Sequence, residues 1–173
     1  VHRDAKAALR WIVANANTYN INTDFITVGG GSAGATTSIG ICISELGDFK
    51  DEISTTDDYS LSSTNLSQSY EVQTILDFWG SGNTLEILDS IDGVQRYSPN
   101  SPALFIAHGT EDPTVLYSEA EALRTIYEAN QLPYVFYALQ GKGHGAWNAT
   151  VNGLTLEKLA FDFVAEQQGL ILE

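Results

Sequence analysis

The sequence predicts an α/β fold: a mostly parallel sheet with helices on both faces. Three observations carry this. Apolar patterns of helical and of strand period alternate along the chain instead of segregating. The run Ala103-Leu104-Phe105-Ile106-Ala107 is apolar at every position, as in a strand covered on both sides. The apolar run Phe25-Ile26-Thr27-Val28 passes into Gly29-Gly30-Gly31-Ser32-Ala33-Gly34 and then into an Ala/Thr/Ile-rich helical pattern. That is the junction a strand makes when it feeds a helix.

Each element has a local reason. Between Asp4 and Thr18, residues Ala5, Ala8, Leu9, Ile12, Val13 and Ala16 share one helical face, with Arg3, Lys6 and Arg10 off it. Asn17 to Asn22 break that helix, and the strand Phe25–Val28 follows. The next helix is expected from Ala33 to about Leu46, with Gly47 as its stop. Residues 48–70 are rich in Ser, Thr and Asp and long for an internal loop. Such a stretch is either a solvated excursion or a rim over Ser32. Val72 to Trp79 reads as a buried strand closed by Gly80, and one short helix fits before Pro102. After strand 103–107, Ser118 and Glu121 form the pattern of a capping box, and Ala120, Leu123, Ile126 and Tyr127 give that helix an apolar face. Tyr134 to Leu139 is the next strand. A last helix carries Leu156, Leu159, Ala160, Phe163 and Val164 on one stripe and ends at Gly169. No internal repeat or linker divides residues 1–173, so a single domain is expected.

Composition excludes several partners. Eight Lys+Arg against 22 Asp+Glu give a formal net charge of −14, which opposes a phosphate-backbone partner and suits a small neutral substrate. No run approaches the roughly 20 apolar residues of a membrane span. A single cysteine, Cys42, lies in an apolar run, so neither an internal disulfide nor a cysteine metal cluster is available. Asn65-Leu66-Ser67 and Asn148-Ala149-Thr150 match a glycosylation acceptor pattern that is too short to assign a compartment.

The candidate chemistry lies at strand ends. Ser32 occupies the strand-to-helix turn, where Gly30 and Gly34 remove side chains that would block a cramped backbone. The amide of Ala33 opens the helix and faces the same space. Asp112 follows the strand at 103–107, in Glu111-Asp112-Pro113, and His144 follows the strand at 134–139, between Gly143 and Gly145. All three therefore sit at one carboxyl edge, where open α/β sheets bind ligands. A serine hydroxyl is a poor nucleophile near neutral pH, and an imidazole, with an ordinary pKa of about 6.5, accepts and returns its proton. A carboxylate orients the imidazole. Glu111 is the rival acid.

Gly30-Gly31-Ser32-Ala33-Gly34, His108-Gly109-Thr110-Glu111-Asp112 and Gly143-His144-Gly145 resemble the nucleophile elbow, acid loop and histidine loop of α/β-hydrolase esterases, closest to the carboxylesterase and hormone-sensitive-lipase branch. The resemblance implies a catalytic triad of Ser32, Asp112 and His144, with Ala33 in the oxyanion hole. It prefers Asp112 to Glu111 as the acid and makes His108 a structural residue. It also implies hydrolysis of carboxylic esters through an acyl-serine, without metal or organic cofactor. Trp79 and Trp147, with Phe78, are candidates for a substrate pocket; His2 carries no signal. The four strands correspond to the last four of eight, so the chain is expected to lack the N-terminal strands and the loop that supplies a second oxyanion amide. The edge at Phe25–Val28 is then expected to be covered by an upstream segment or by a second copy of the chain.

Two other readings compete. One is a hydrolase fragment that is weak or inactive without an upstream segment or partner. The other is a dinucleotide-binding module, since Gly29, Gly31 and Gly34 spell its fingerprint. Against the latter, a helix precedes the glycine strand, and the ribose-binding carboxylate has no strand to close about 20 residues on. It also leaves Asp112 and His144 without a role.

Overall fold

A computed structural model describes residues 1–49, 56–57, 59–63 and 65–171. Four parallel strands form one sheet in the order β1 (Thr27–Gly31), β2 (Thr74–Phe78), β3 (Ala103–Gly109), β4 (Tyr134–Leu139). Helices α1 (His2–Ala14), α2 (Ala16–Tyr19) and α3 (Ala33–Ile43) come early; α4 (Asn83–Asp92), α5 (Tyr117–Ala129) and α6 (Leu156–Gln167) come later. A short hairpin, β5 (Thr150–Val151) and β6 (Leu154–Thr155), precedes α6.

The sheet is covered on both faces. On one, Phe78, Phe105 and Ala107 pack with Leu156, Leu159, Ala160 and Phe163 of α6. On the other, Ile75, Leu104 and Ile106 pack with Ile39 of α3, Leu85 of α4 and Ala120, Leu123 and Tyr127 of α5. All seven residues of β3 are buried, as its continuous apolar run requires. Among the described residues, β1 pairs with β2 alone and leaves its other edge open.

The structure corrects several local expectations. The first helix ends at Ala14, where Asn15 folds its side-chain amide back onto the Trp11 carbonyl at 2.8 Å. Its buried residues are Lys6, Leu9 and Arg10, while Trp11 and Ile12 are exposed. The face is turned because Lys6 Nζ donates to Ser44 Oγ and to the carbonyls of Glu45 and Asp48, satisfying groups just beyond α3. A long aliphatic stem makes such burial tolerable. The first strand starts at Thr27, not Phe25, because Asn22 accepts from the Asp24 amide and turns Thr23–Phe25 into 3₁₀ helix. Consequently Gly29, Gly30 and Gly31 lie within the strand. α3 stops at Ser44, before Gly47. The capping box does not form, since α5 starts at Tyr117 with Leu116 at its N-cap. Gly169 (φ 62°) does end α6, with the Leu170 amide reaching the Ala165 carbonyl.

The 48–70 stretch lies partly outside the described residues. Its described roots sit at the end of α3 remote from Ser32: Arg96 holds the Asp48 carboxylate at 2.7 Å, and Tyr70 Oη donates to the Ile41 carbonyl at 2.7 Å.

Candidate active site

Ser32 is built from three constraints. Its backbone (φ 56°, ψ −123°) lies in a region side chains seldom enter, so the surroundings must hold it. The Ser32 amide donates to the Phe78 carbonyl at 2.9 Å, tying the turn to β2, and its own carbonyl accepts from the Thr36 amide. At Gly30, an added Cβ would lie 2.8 Å from the Gly34 carbonyl carbon, so strand and helix approach this closely only through glycine. The Ala33 amide then heads α3, where a helix leaves its first amides unused.

The register brings the other ends level. Gly31 pairs with Phe78, Phe78 with Ala107, and Gly109 with Leu139. Loops leaving β3 and β4 therefore open at the same edge as Ser32. His144 Nε2 lies 2.8 Å from Ser32 Oγ, and His144 Nδ1 lies 2.7 Å from Asp112 Oδ2. Asp112 Oδ1 accepts from the Thr114 and Val115 amides at 2.8 and 3.0 Å. Burial works against ionisation of Asp112, but the bonds from His144, Thr114 and Val115 outweigh it and hold the carboxyl below its ordinary value. An ionised Asp112 favours the tautomer with the proton on Nδ1, leaving Nε2 to accept from Ser32. Glu111 is exposed, and its amide donates to the Lys142 carbonyl. His108 is fully buried and donates from Nε2 to the Val115 carbonyl at 2.9 Å.

Ser32 and Ala33 open into a cleft of about 680 Å³. Thr36 and Thr37 of α3, Ser81 and Asn83, and Thr114 to Leu116 with Glu119 form most of its wall, with Val1 and His2 at one end. Neither Trp79 nor Trp147 lines it. Trp79 is 2% exposed and belongs to the core. Its ring meets Trp147 edge-on at 4.6 Å and lies 6.4 Å from the His144 ring. Trp147 is half exposed, and an added Cβ at Gly31 would touch it at 2.9 Å. The pair thus closes the side of the elbow next to Gly31.

Sequence reasoning missed several of these residues. His2 reaches the cleft, stacked on Phe49, and burial lowers its pKa toward the neutral imidazole. Asp77 on β2 is fully buried; burial raises its carboxyl to about 7, against the opposing hydrogen bond from the Gly80 amide to Oδ1 at 2.6 Å. Asp77-Phe78-Trp79-Gly80 carried a local signal, a short acceptor three residues before a glycine, which is a turn pattern at a strand end. Ser81 and Glu119 carried none, because they meet only in three dimensions.

With this geometry in view, comparison with known proteins places the fold. A BD-FAE family model matches residues 1–98. Among solved structures, a truncated carbohydrate esterase from gut microbiota aligns with a TM-score of 0.71 at 21% identity, over 97% of this chain and 68% of that one. The propionate-bound esterase Est2 of Thermogutta terrifontis aligns at 0.70 and 20% identity, over 99% and 66%. An acetyl ester-xyloside bifunctional hydrolase from Caldicellulosiruptor lactoaceticus aligns at 0.71 and 18% identity, over 98% and 66%. The chain thus spans about two thirds of the length of these structures, which are similar in fold. No curated protein matches it.

Proposed function

Starting from a chain that belongs to the BD-FAE family, whose model and structural neighbours support esterase activity at the level of the family, we propose that Ser32, His144 and Asp112 hydrolyse carboxylic esters through an acyl-serine. One observation carries the reading: two consecutive hydrogen bonds, 2.8 and 2.7 Å, run from Ser32 Oγ through the imidazole to a buried carboxylate.

Ser32 Oγ attacks the ester carbonyl carbon while His144 Nε2 takes its proton. The carbonyl oxygen becomes an oxyanion and accepts from the Ala33 amide, at the positive end of α3. Collapse breaks the bond to the alcohol oxygen, which leaves with the proton from Nε2. A water then gives its proton to Nε2 and attacks the acyl carbon. Collapse of this second intermediate releases the acid and returns the proton to Ser32 Oγ. Asp112 stays ionised throughout and stabilises the imidazolium. The glycines of the rival dinucleotide reading are taken up by packing, Gly29 against Leu76 of β2, Gly31 against the indoles and Gly34 against Gly30.

The test is Ser32→Ala, assayed with p-nitrophenyl acetate and a fluorophosphonate label followed by peptide mapping. The expected result is loss of turnover and of the label at the Ser32 peptide, with an unchanged melting temperature. Turnover retained by the pure variant overturns the assignment.

A further inference from the structure

The cleft beside Ser32 mixes apolar and polar lining and has one carboxylate, Glu119, in its wall. Ser81, 4% exposed, is the hub of that wall. Its amide donates to Thr36 Oγ1 at 3.1 Å, and its hydroxyl accepts from the Asn83 amide at 3.0 Å. That hydroxyl has one proton to give, and it goes to Glu119 Oε2 at 2.6 Å. The carboxylate is thereby fixed in the cleft. Among the described residues, its second oxygen, Oε1, has no donor. Among the described residues, no Lys or Arg side chain lines the cleft.

A half-buried carboxylate with an unused oxygen favours a ligand that brings its own donor. Three threonines and an asparagine in the same wall add hydroxyl and amide groups, which suits hydroxyls better than a bare cation. On the other side of the elbow, Trp79 and Trp147 lie against Gly31. The cleft that opens at Ser32 and Ala33 is a place for the larger half of an ester.

We propose that Glu119, clamped by Ser81, is a specificity-determining residue that accepts a hydrogen bond from a hydroxyl on the larger half of the ester. The inference rests on Ser32 being the nucleophile. A site built to receive a hydroxyl discriminates against the ester lacking it, because the acceptor is then left desolvated and unpaired. Esters with an anionic larger half are disfavoured for the same charge.

The experiment compares glyceryl monoacetate with n-propyl acetate, which share the acyl group and a three-carbon alcohol. A charged acceptor contributes roughly tenfold to a hundredfold in such a comparison. The wild-type chain is expected to prefer glyceryl acetate by roughly tenfold or more in kcat/KM. Glu119→Leu is expected to abolish most of that ratio, and Ser81→Ala to reduce it. Glu119→Gln, which keeps the size and drops the charge, is expected to fall between them. Glu128→Gln, on the same helix but bonded to Tyr134 at the surface, keeps the wild-type ratio. Fluorophosphonate labelling of Ser32 in each variant reports an assembled site. A wild-type ratio near one, a ratio indifferent to both Glu119 variants in labelled protein, or faster turnover of acetylcholine than of glyceryl acetate overturns the inference and leaves the proposed function standing. A wild-type chain that neither takes the label nor hydrolyses either acetate overturns both.

Discussion

Replacing Asp77 by Asn is expected to stabilise the protein, and only above acid pH. Asp77 is completely buried on β2, and Oδ2 has no partner among the described residues. The ionisable groups that feel its charge, Tyr97 and Tyr127, are phenols that burial keeps neutral. Burial moves the carboxyl from 3.8 to about 7. Between about pH 4 and pH 7 the unfolded chain has released this proton while the folded chain retains it. Stability therefore falls as pH rises through that window and levels off above it. The full displacement corresponds to up to about 4 kcal/mol. Asparagine is neutral at every pH, and its carbonyl oxygen can take the Gly80 amide as Oδ1 does. At pH 8 the variant is expected to be more stable by up to about 4 kcal/mol, or roughly 8–16 °C in melting temperature for a chain of this size. Near pH 4 the two proteins should coincide. Asp112 does not confound the comparison above about pH 5: its carboxyl is depressed, so its contribution is lost only as pH falls through its folded value. Urea unfolding of both proteins at a series of pH values measures the difference. A stability gap that is independent of pH refutes the reasoning.

Two more outcomes follow from the same geometry. Asp112→Asn should keep the shape of the site but disfavour the Nδ1-protonated imidazole; the corresponding change in the trypsin triad costs about 10⁴ in turnover, whereas Glu111→Gln should cost far less. Steady-state kinetics on p-nitrophenyl acetate ranks them, and the reverse order would make Glu111 the acid. The open edge of β1 is a surface for further strand pairing, so the 173-residue chain is expected to self-associate, and light scattering that shows a monomer at every concentration refutes this.

Much of the frame was legible because it depends on neighbours in the chain. Apolar run and turn chemistry located β3, β4 and α6, and the glycines on either side of Ser32 marked the elbow. Three strand ends in a parallel sheet must share an edge, so Ser32, Asp112 and His144 could be placed together although 112 residues separate the first from the last. What stayed hidden depends on what an element packs against. Helical periodicity in residues 4–18 located a helix but put Lys6 and Arg10 on the wrong side, because the carbonyls that Lys6 serves lie 39 and 42 residues away. Trp79 next to a strand end reads as a pocket wall; burial in the core removed it from the cleft. Ser81 and Glu119, 38 residues apart, form a pair that no local pattern announces. The sequence by itself determined most of the helices and strands, their parallel arrangement and the placing of Ser32, Asp112 and His144 at strand ends, since these follow from backbone propensity and period. Tertiary structure alone decided which polar side chains are buried and which of them line the cleft, since burial is set by surfaces brought together from distant parts of the chain.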